Sequence, residues 1–295
     1  MISIKNLRKD RVGLFSLLFI VLVMVVGLFA PMLAPHDPLA VRMELRYAPP
    51  SWKYLFGNDH LGRDIFSRIL YGIRPSVLWV FVALIISTSL GALLGFLSGY
   101  YRGNVDALIM RICDVMLSFP TYVITIAIVA ILGVGLENIL IAFIIIKWAW
   151  FTRIIRTSVL QYVEMDYVKY ARTIGMSPVH IIHKHILPLS FSDIAVVASS
   201  SMSSMMLQIS GLSFLGLGMK APHAEWGMML SEAREVMFTR PESMIAPGVA
   251  IVSVVLAFNF FADSLQVALN PKLRQPAKRK RNNFQFMLHK REVAK

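Results

Sequence analysis

Six long stretches of this chain hold few or no charges, and polar segments punctuated by glycine and proline separate them. They cover residues 12–33, 75–101, 112–136, 138–151, 191–217 and 244–269. About 20 apolar residues in helical form cross the hydrocarbon core of a bilayer, a length that all but the fourth reach. None alternates between apolar and polar positions as barrel strands do, so helices must satisfy the backbone groups in lipid. The pattern predicts an all-α membrane protein with six transmembrane helices. The first stretch is too long for a secretory signal and lacks a small-residue cleavage site, so it is expected to stay as a helix.

Details within the stretches refine this picture. Gly91, Gly95 and Gly99, with Gly103 beyond, recur every four residues and predict a close packing face, against this chain or a partner. Pro120 predicts a kink or break in the third helix, which carries Asp114 near its cytoplasmic start. Helix five carries Ser199, Ser200, Ser201, Ser203, Ser204, Gln208 and Ser210 among Met202, Met205 and Met206. That polarity suits either the wall of a wet pathway or packing through small residues, and Met205, Met206, Gln208 and Ser210 are the candidate pathway residues. Lys147 joins them as a charge far inside helix four, where an anionic metal chelate would be a natural partner and snorkelling to the inner surface the plain alternative. Trp226, Met229, Leu230, Ala233 and Met237 form one apolar face of a short outer helix, expected on the membrane surface.

Composition agrees: 56% of the 295 residues are hydrophobic and 16% charged. The net charge of +13 could suggest nucleic acid, but the excess flanks the apolar stretches, where anionic lipid is the nearer partner. Lys5, Arg8, Lys9 and Arg11 before the first helix, and Lys278, Arg279, Lys280 and Arg281 after the last, place both termini in the cytoplasm by the positive-inside rule. Arg42, Arg46, Arg63, Arg68 and Arg74 in the outer segment run against that rule, and nearby acids offset them in part. The chain divides into residues 1–74 (cytoplasmic start, first helix and outer segment), a core of five helices over 75–270, and a basic tail over 271–295, expected to be mostly disordered. Cys113, the sole cysteine, allows no intrachain disulfide and no thiolate metal cluster.

Between helices four and five, the cytoplasmic link 164–188 parses into two short helices. Asp166 caps the first over 167–174, Gly175 gives a left-handed exit, Ser177-Pro178 starts the second and Leu187-Pro188 closes it. Val168, Ala171 and Ile174 share a side suited to docking in a partner's groove. His180, His183 and His185 match no standard ligand spacing, and no metal site is assigned. The link reads Lys169-Tyr170-Ala171, then Gly175-Met176-Ser177, then Leu187-Pro188. Elsewhere stand Phe56-Gly57, Leu61-Gly62-Arg63-Asp64-Ile65-Phe66-Ser67-Arg68, Leu212-Ser213-Phe214-Leu215-Gly216-Leu217-Gly218, Glu225-Trp226-Gly227, Ala257-Phe258-Asn259 and Asn270-Pro271.

In these blocks the chain resembles, over nearly its whole length, the inner-membrane permeases of binding-protein-dependent ABC importers, in the branch for dipeptides, oligopeptides and nickel. The family's Glu-Ala-Ala run is reduced here to Lys169-Tyr170-Ala171. The resemblance implies a type I importer permease fold in the bacterial inner membrane and an ATPase-coupling role for Lys169, Tyr170, Ala171, Gly175, Met176, Ser177, Leu187 and Pro188. It also implies a second homologous permease, two ATPase subunits that bind the ATP and magnesium, and an extracytoplasmic substrate-binding protein. This chain has no phosphate-binding Gly-x-x-x-x-Gly-Lys-Ser/Thr loop and is expected to hold no cofactor and perform no catalysis. Met206 to Gly211, Trp148-Ala149-Trp150 and Ala221-Pro222 look most like nickel and opine-metallophore permeases, with a peptide permease as the alternative. An ion-driven transporter would show repeats and mid-membrane carboxylates, and neither is evident.

Overall fold

The computed structural model describes residues 10–269, and every regular element among them is helical. The basic flank at Lys5, Arg8 and Lys9, the tail over 271–295 and the Asn270-Pro271 block lie outside the described residues.

Helix α1 (Arg11–Leu28) starts where the Asp10 carboxylate accepts the Val12 N–H at 3.0 Å. It stops short of residue 33 because the Arg74 guanidinium takes its last carbonyls, donating to Gly27 at 2.9 Å and Leu28 at 2.7 Å. A separate turn, Ala30–Leu33, follows.

Helix α2 (Ile65–Tyr101) starts well before the expected residue 75. Asp64 caps it through the Phe66 and Ser67 N–H groups. Pro75, which suggested a start, sits instead in a π-helical turn over Arg74–Leu78 that absorbs its missing donor.

Pro120 does more than kink the third span. Helices α3 (Gly103–Leu117) and α4 (Thr121–Leu132) are bent by 83° across the break. Helix α5 (Leu136–Val163) is twice the length expected from 138–151, because the arginines that ended the apolar run are neutralised. Arg153 pairs with Asp114 of α3, and Arg156 binds Asp106 of α3 through both carboxylate oxygens.

The link departs from expectation at both ends. Helix α6 (Asp166–Thr173) has Met165 at its N-cap position with no side-chain cap, and Asp166 lies in its first turn, where a carboxylate favours the helix dipole. Its exit is as expected: Gly175 has φ +80°, and the Gly175 and Met176 N–H groups return to Arg172 and Ala171. Ser177 caps helix α7 (Pro178–Phe214), but Leu187-Pro188 does not close it. A π-helical turn over Ile182–Ile186 carries the chain past Pro188 without a break, so the second helix of the link and the fifth span are one rod.

Helix α8 (Trp226–Ala233) is not a surface helix, since Trp226, Gly227, Met228, Met229 and Ala233 are buried inside the chain. Helix α9 (Glu242–Leu269) ends the described chain. With α3 and α4 counted as one bent crossing, the helices give six candidate spans. The tightest pair is α2 on α5: a Cβ on Gly91 would stand 2.4 Å from Phe151 Cβ, and one on Gly95 3.0 Å from the Thr152 carbonyl. Gly103 plays no part in that face and turns the chain instead, with φ +55° and open space around it.

Candidate functional site

The link between α5 and α7, which holds the coupling candidates, is held from behind and free in front. Val168 and Ala171 are buried against this chain, which corrects the expectation that they face a partner. Arg172 lies over the Tyr100 ring at 4.4 Å, and Glu164 bridges Arg102 at 2.6 Å and Lys169 at 3.2 Å. That double contact, Arg102 first, holds the Glu164 carboxyl below its usual range. The free face presents Tyr170, Ile174 and Val179, which are 67%, 57% and 74% exposed. Among the other coupling candidates, Lys169, Gly175, Ser177 and Pro188 are exposed, while Met176 and Leu187 are half-buried and pack on the core.

Beside this face an open groove of about 580 Å³ is lined by Ser177, Val179, His180, His183, Lys184 and Pro188. The Tyr162 hydroxyl donates to Asp193 at 3.2 Å and ties α5 to α7 just above it. His185 stands 6.5 Å from His180, ring centre to ring centre, and its buried Nε2 has no partner among the described residues.

Of the candidate pathway residues, Met205, Met206 and Ser210 are buried inside the chain. Gln208 and Lys147 are half-buried. The surface of α7 at this height consists instead of Ser200, Ser204 and Leu207. Lys147 stands 5.9 Å from the centre of the Phe143 ring.

At the opposite end of the bundle lies a charged cluster that sequence reading missed. Arg63 and Arg68 are fully buried. Arg63 donates to Asp59 at 2.6 Å and to both oxygens of Glu232 at 3.0 and 2.9 Å, while Arg68 reaches Glu232 at 2.9 Å. The cluster joins the outer segment and α2 to α8. Two of the five arginines in the 35–74 segment are paired here, and Arg74 is committed to α1. The signal was present as Arg63 and Arg68 five residues apart before an apolar run, but Glu232 is 169 residues from Arg63.

Next to it, Glu225 is buried and accepts the Gly227 and Met228 N–H groups at 2.8 Å each and the Ser76 hydroxyl at 3.2 Å. Burial pushes its carboxyl above the ordinary range, and these hydrogen bonds oppose the rise. The indole N–H of Trp226 donates to the Ile69 carbonyl at 3.0 Å. Asp59, His60 and Glu232 bring ligand atoms within 4.8 Å of one another, but Arg63 and Arg68 already hold both carboxylates, so the group does not suit a cation.

Apolar helices long enough to span a bilayer, packed around a few internal ion pairs, define an integral membrane helical bundle. The family model "binding-protein-dependent transport system inner membrane component" matches residues 91–275, and the "N-terminal TM domain of oligopeptide transport permease C" matches residues 2–50. This chain belongs to that family of ABC transport permeases. It is 57% identical over 273 residues to the metal-staphylopine import system permease protein CntC of Staphylococcus aureus, covering 92% of this chain and 94% of that protein. It is 39% identical to the dipeptide transport system permease protein DppC of Alkalihalophilus pseudofirmus, over 92% of this chain and 90% of that one. With the nickel transport system permease protein NikC of Escherichia coli K12 the identity is 36%, over 88% and 93%.

Proposed function

We propose that this chain is one of two homologous membrane-spanning subunits of an ATP-driven importer for nickel or a metal–chelate complex in the bacterial inner membrane. The 57% identity to a metal-staphylopine permease, sustained over 92% of the chain, carries the reading. In it both termini are cytoplasmic, an extracytoplasmic binding protein delivers the cargo, and two separate ATPase subunits bind ATP and magnesium. This chain then needs no cofactor of its own.

Tyr170, Ile174 and Val179 form the contact with an ATPase subunit, since a helix face that is apolar and exposed outside the membrane suits a partner's groove. Closure of the ATPase pair pushes α6 and the start of α7, and the bundle passes between inward-facing and outward-facing states. Lys147 and Gln208 meet the cargo first, and Met205, Met206 and Ser210 reach it only after the helices rearrange.

The test compares uptake of labelled nickel, with and without metallophore, and of labelled dipeptide in cells with and without this gene. Loss of nickel uptake alone supports the reading. Loss of dipeptide uptake alone overturns it in favour of the peptide branch, to which the 39% identical dipeptide permease belongs.

A further inference from the structure

The cations of α5 are not all provided for. Arg153 and Arg156 each have a carboxylate from α3, Asp114 and Asp106. Lys147 has no carboxylate within 4.0 Å among the described residues, and its ammonium stands instead against the Phe143 ring. Both carboxylates that α3 sends toward α5 are taken by the arginines, so no residue of that helix is left to neutralise it.

The direction of the side chain matters most. A lysine in a span ordinarily escapes by stretching toward the nearer membrane surface. Arg153 marks the near polar end of α5, and six residues at helical rise put it about 9 Å from residue 147. Phe143 lies one turn the other way. Side chains on a helix lean toward its N-terminus, here the side of Phe143, and the Lys147 ammonium stands 5.9 Å from the centre of that ring. Residue 147 itself lies about 16 Å along α5 from Leu136.

An aromatic face compensates a desolvated ammonium only in part. Among the described residues no carboxylate supplies the rest, and Lys147 is only half-buried, so a ligand can reach it.

We propose that Lys147 is a charge filter, binding the carboxylates of a net-anionic metal chelate and turning away the bare divalent cation. This rests on the metal–chelate reading above and sharpens it from metal to chelate. A bare divalent ion would meet like charge at this point. A zwitterionic dipeptide would bring a carboxylate and an ammonium together, with little net gain. A chelate whose carboxylates outnumber the charge of its metal would gain a counter-ion where one is scarce.

The test uses the complete transporter in cells, with nickel-63 supplied alone or with staphylopine, and the amount of assembled complex in the membrane measured alongside. Lys147→Arg keeps the charge and should hold chelate uptake near the wild-type level. Lys147→Gln should lower it at least about tenfold, and Lys147→Glu should abolish it, each with wild-type amounts of complex. Gln uptake within twofold of wild type overturns the filter. So does a fall in uptake that only tracks loss of assembled complex, since Lys147 would then be pairing with another subunit. Wild-type cells that import dipeptide and no nickel overturn the cargo reading itself, and the inference with it.

Discussion

Arg63 and Glu232 lie 169 residues apart in sequence and are joined by two hydrogen bonds of 3.0 and 2.9 Å in the interior of the protein. Removing Arg63 leaves the part-buried Glu232 with Arg68 as its remaining cation and costs the two charged hydrogen bonds. Arg63→Met should therefore destabilise the chain by about 1–3 kcal/mol. The double variant Arg63→Met with Glu232→Gln should lose less than the sum of the single losses. Thermal melting of the purified complex in detergent measures both, and additive losses would contradict the coupling.

The α2–α5 contact leaves no room for a side chain. Gly91→Ala places a methyl 2.4 Å from Phe151 Cβ and 2.9 Å from the Trp148 carbonyl. About 1–3 kcal/mol of overpacking is expected, read as a lowered melting temperature. Gly211→Ala, where a Cβ would meet nothing within 4 Å, is the control and should melt as wild type.

Glu225 gives the stability a pH dependence of definite sign. Its carboxyl titrates above the ordinary value in the folded chain, so its protonated form is favoured there. That contribution is complete below the unfolded carboxyl pKa and is lost as pH rises through the folded one. Melting temperature should fall as pH rises across this window, and Glu225→Gln should flatten the fall. Glu225→Ala instead leaves the Gly227 and Met228 N–H groups unpartnered, at about 1–3 kcal/mol each.

Gly175 has φ +80° with no atom near enough to hinder a side chain, so only the backbone conformation restricts substitution. Asparagine tolerates that conformation and valine does not; Gly175→Val should strain the turn by about 1–2 kcal/mol and Gly175→Asn by less. Under the coupling reading, Gly175→Val hydrolyses ATP with reduced cargo uptake. Uptake and hydrolysis measured together in proteoliposomes decide it, and uptake equal to wild type in the valine variant would count against a coupling role for this turn.

The spans were legible because lipid leaves the chain few options: apolar length and helical backbone suffice to predict them. Their ends were less so. Charge marks the end of an apolar run, yet Arg153 and Arg156 continue α5 because Asp106 and Asp114, on a helix far away in sequence, neutralise them. Proline misled at two positions and was read correctly at a third. Pro75 and Pro188 lie inside continuous helices because π-helical turns accommodate them, whereas Pro120 marks a true break. The glycine face and the Gly175 exit needed only local geometry and were read directly. The buried face of α6 was not, since Val168 and Ala171 look the same whether the neighbour is this chain or another.

The continuity of α7 has a mechanical consequence. Thirty-seven helical residues span roughly 55 Å, with no loop between the groove at His183 and the far end at Phe214. A loop would dissipate a displacement by changing its own shape, whereas a helix carries tilt and translation from end to end. The only softer place is the π-helical turn over Ile182–Ile186, whose wider ring lets the shaft yield slightly at its base. Under the coupling reading, a push on the groove end of α7 would therefore reach its far end as a displacement of one stiff helix.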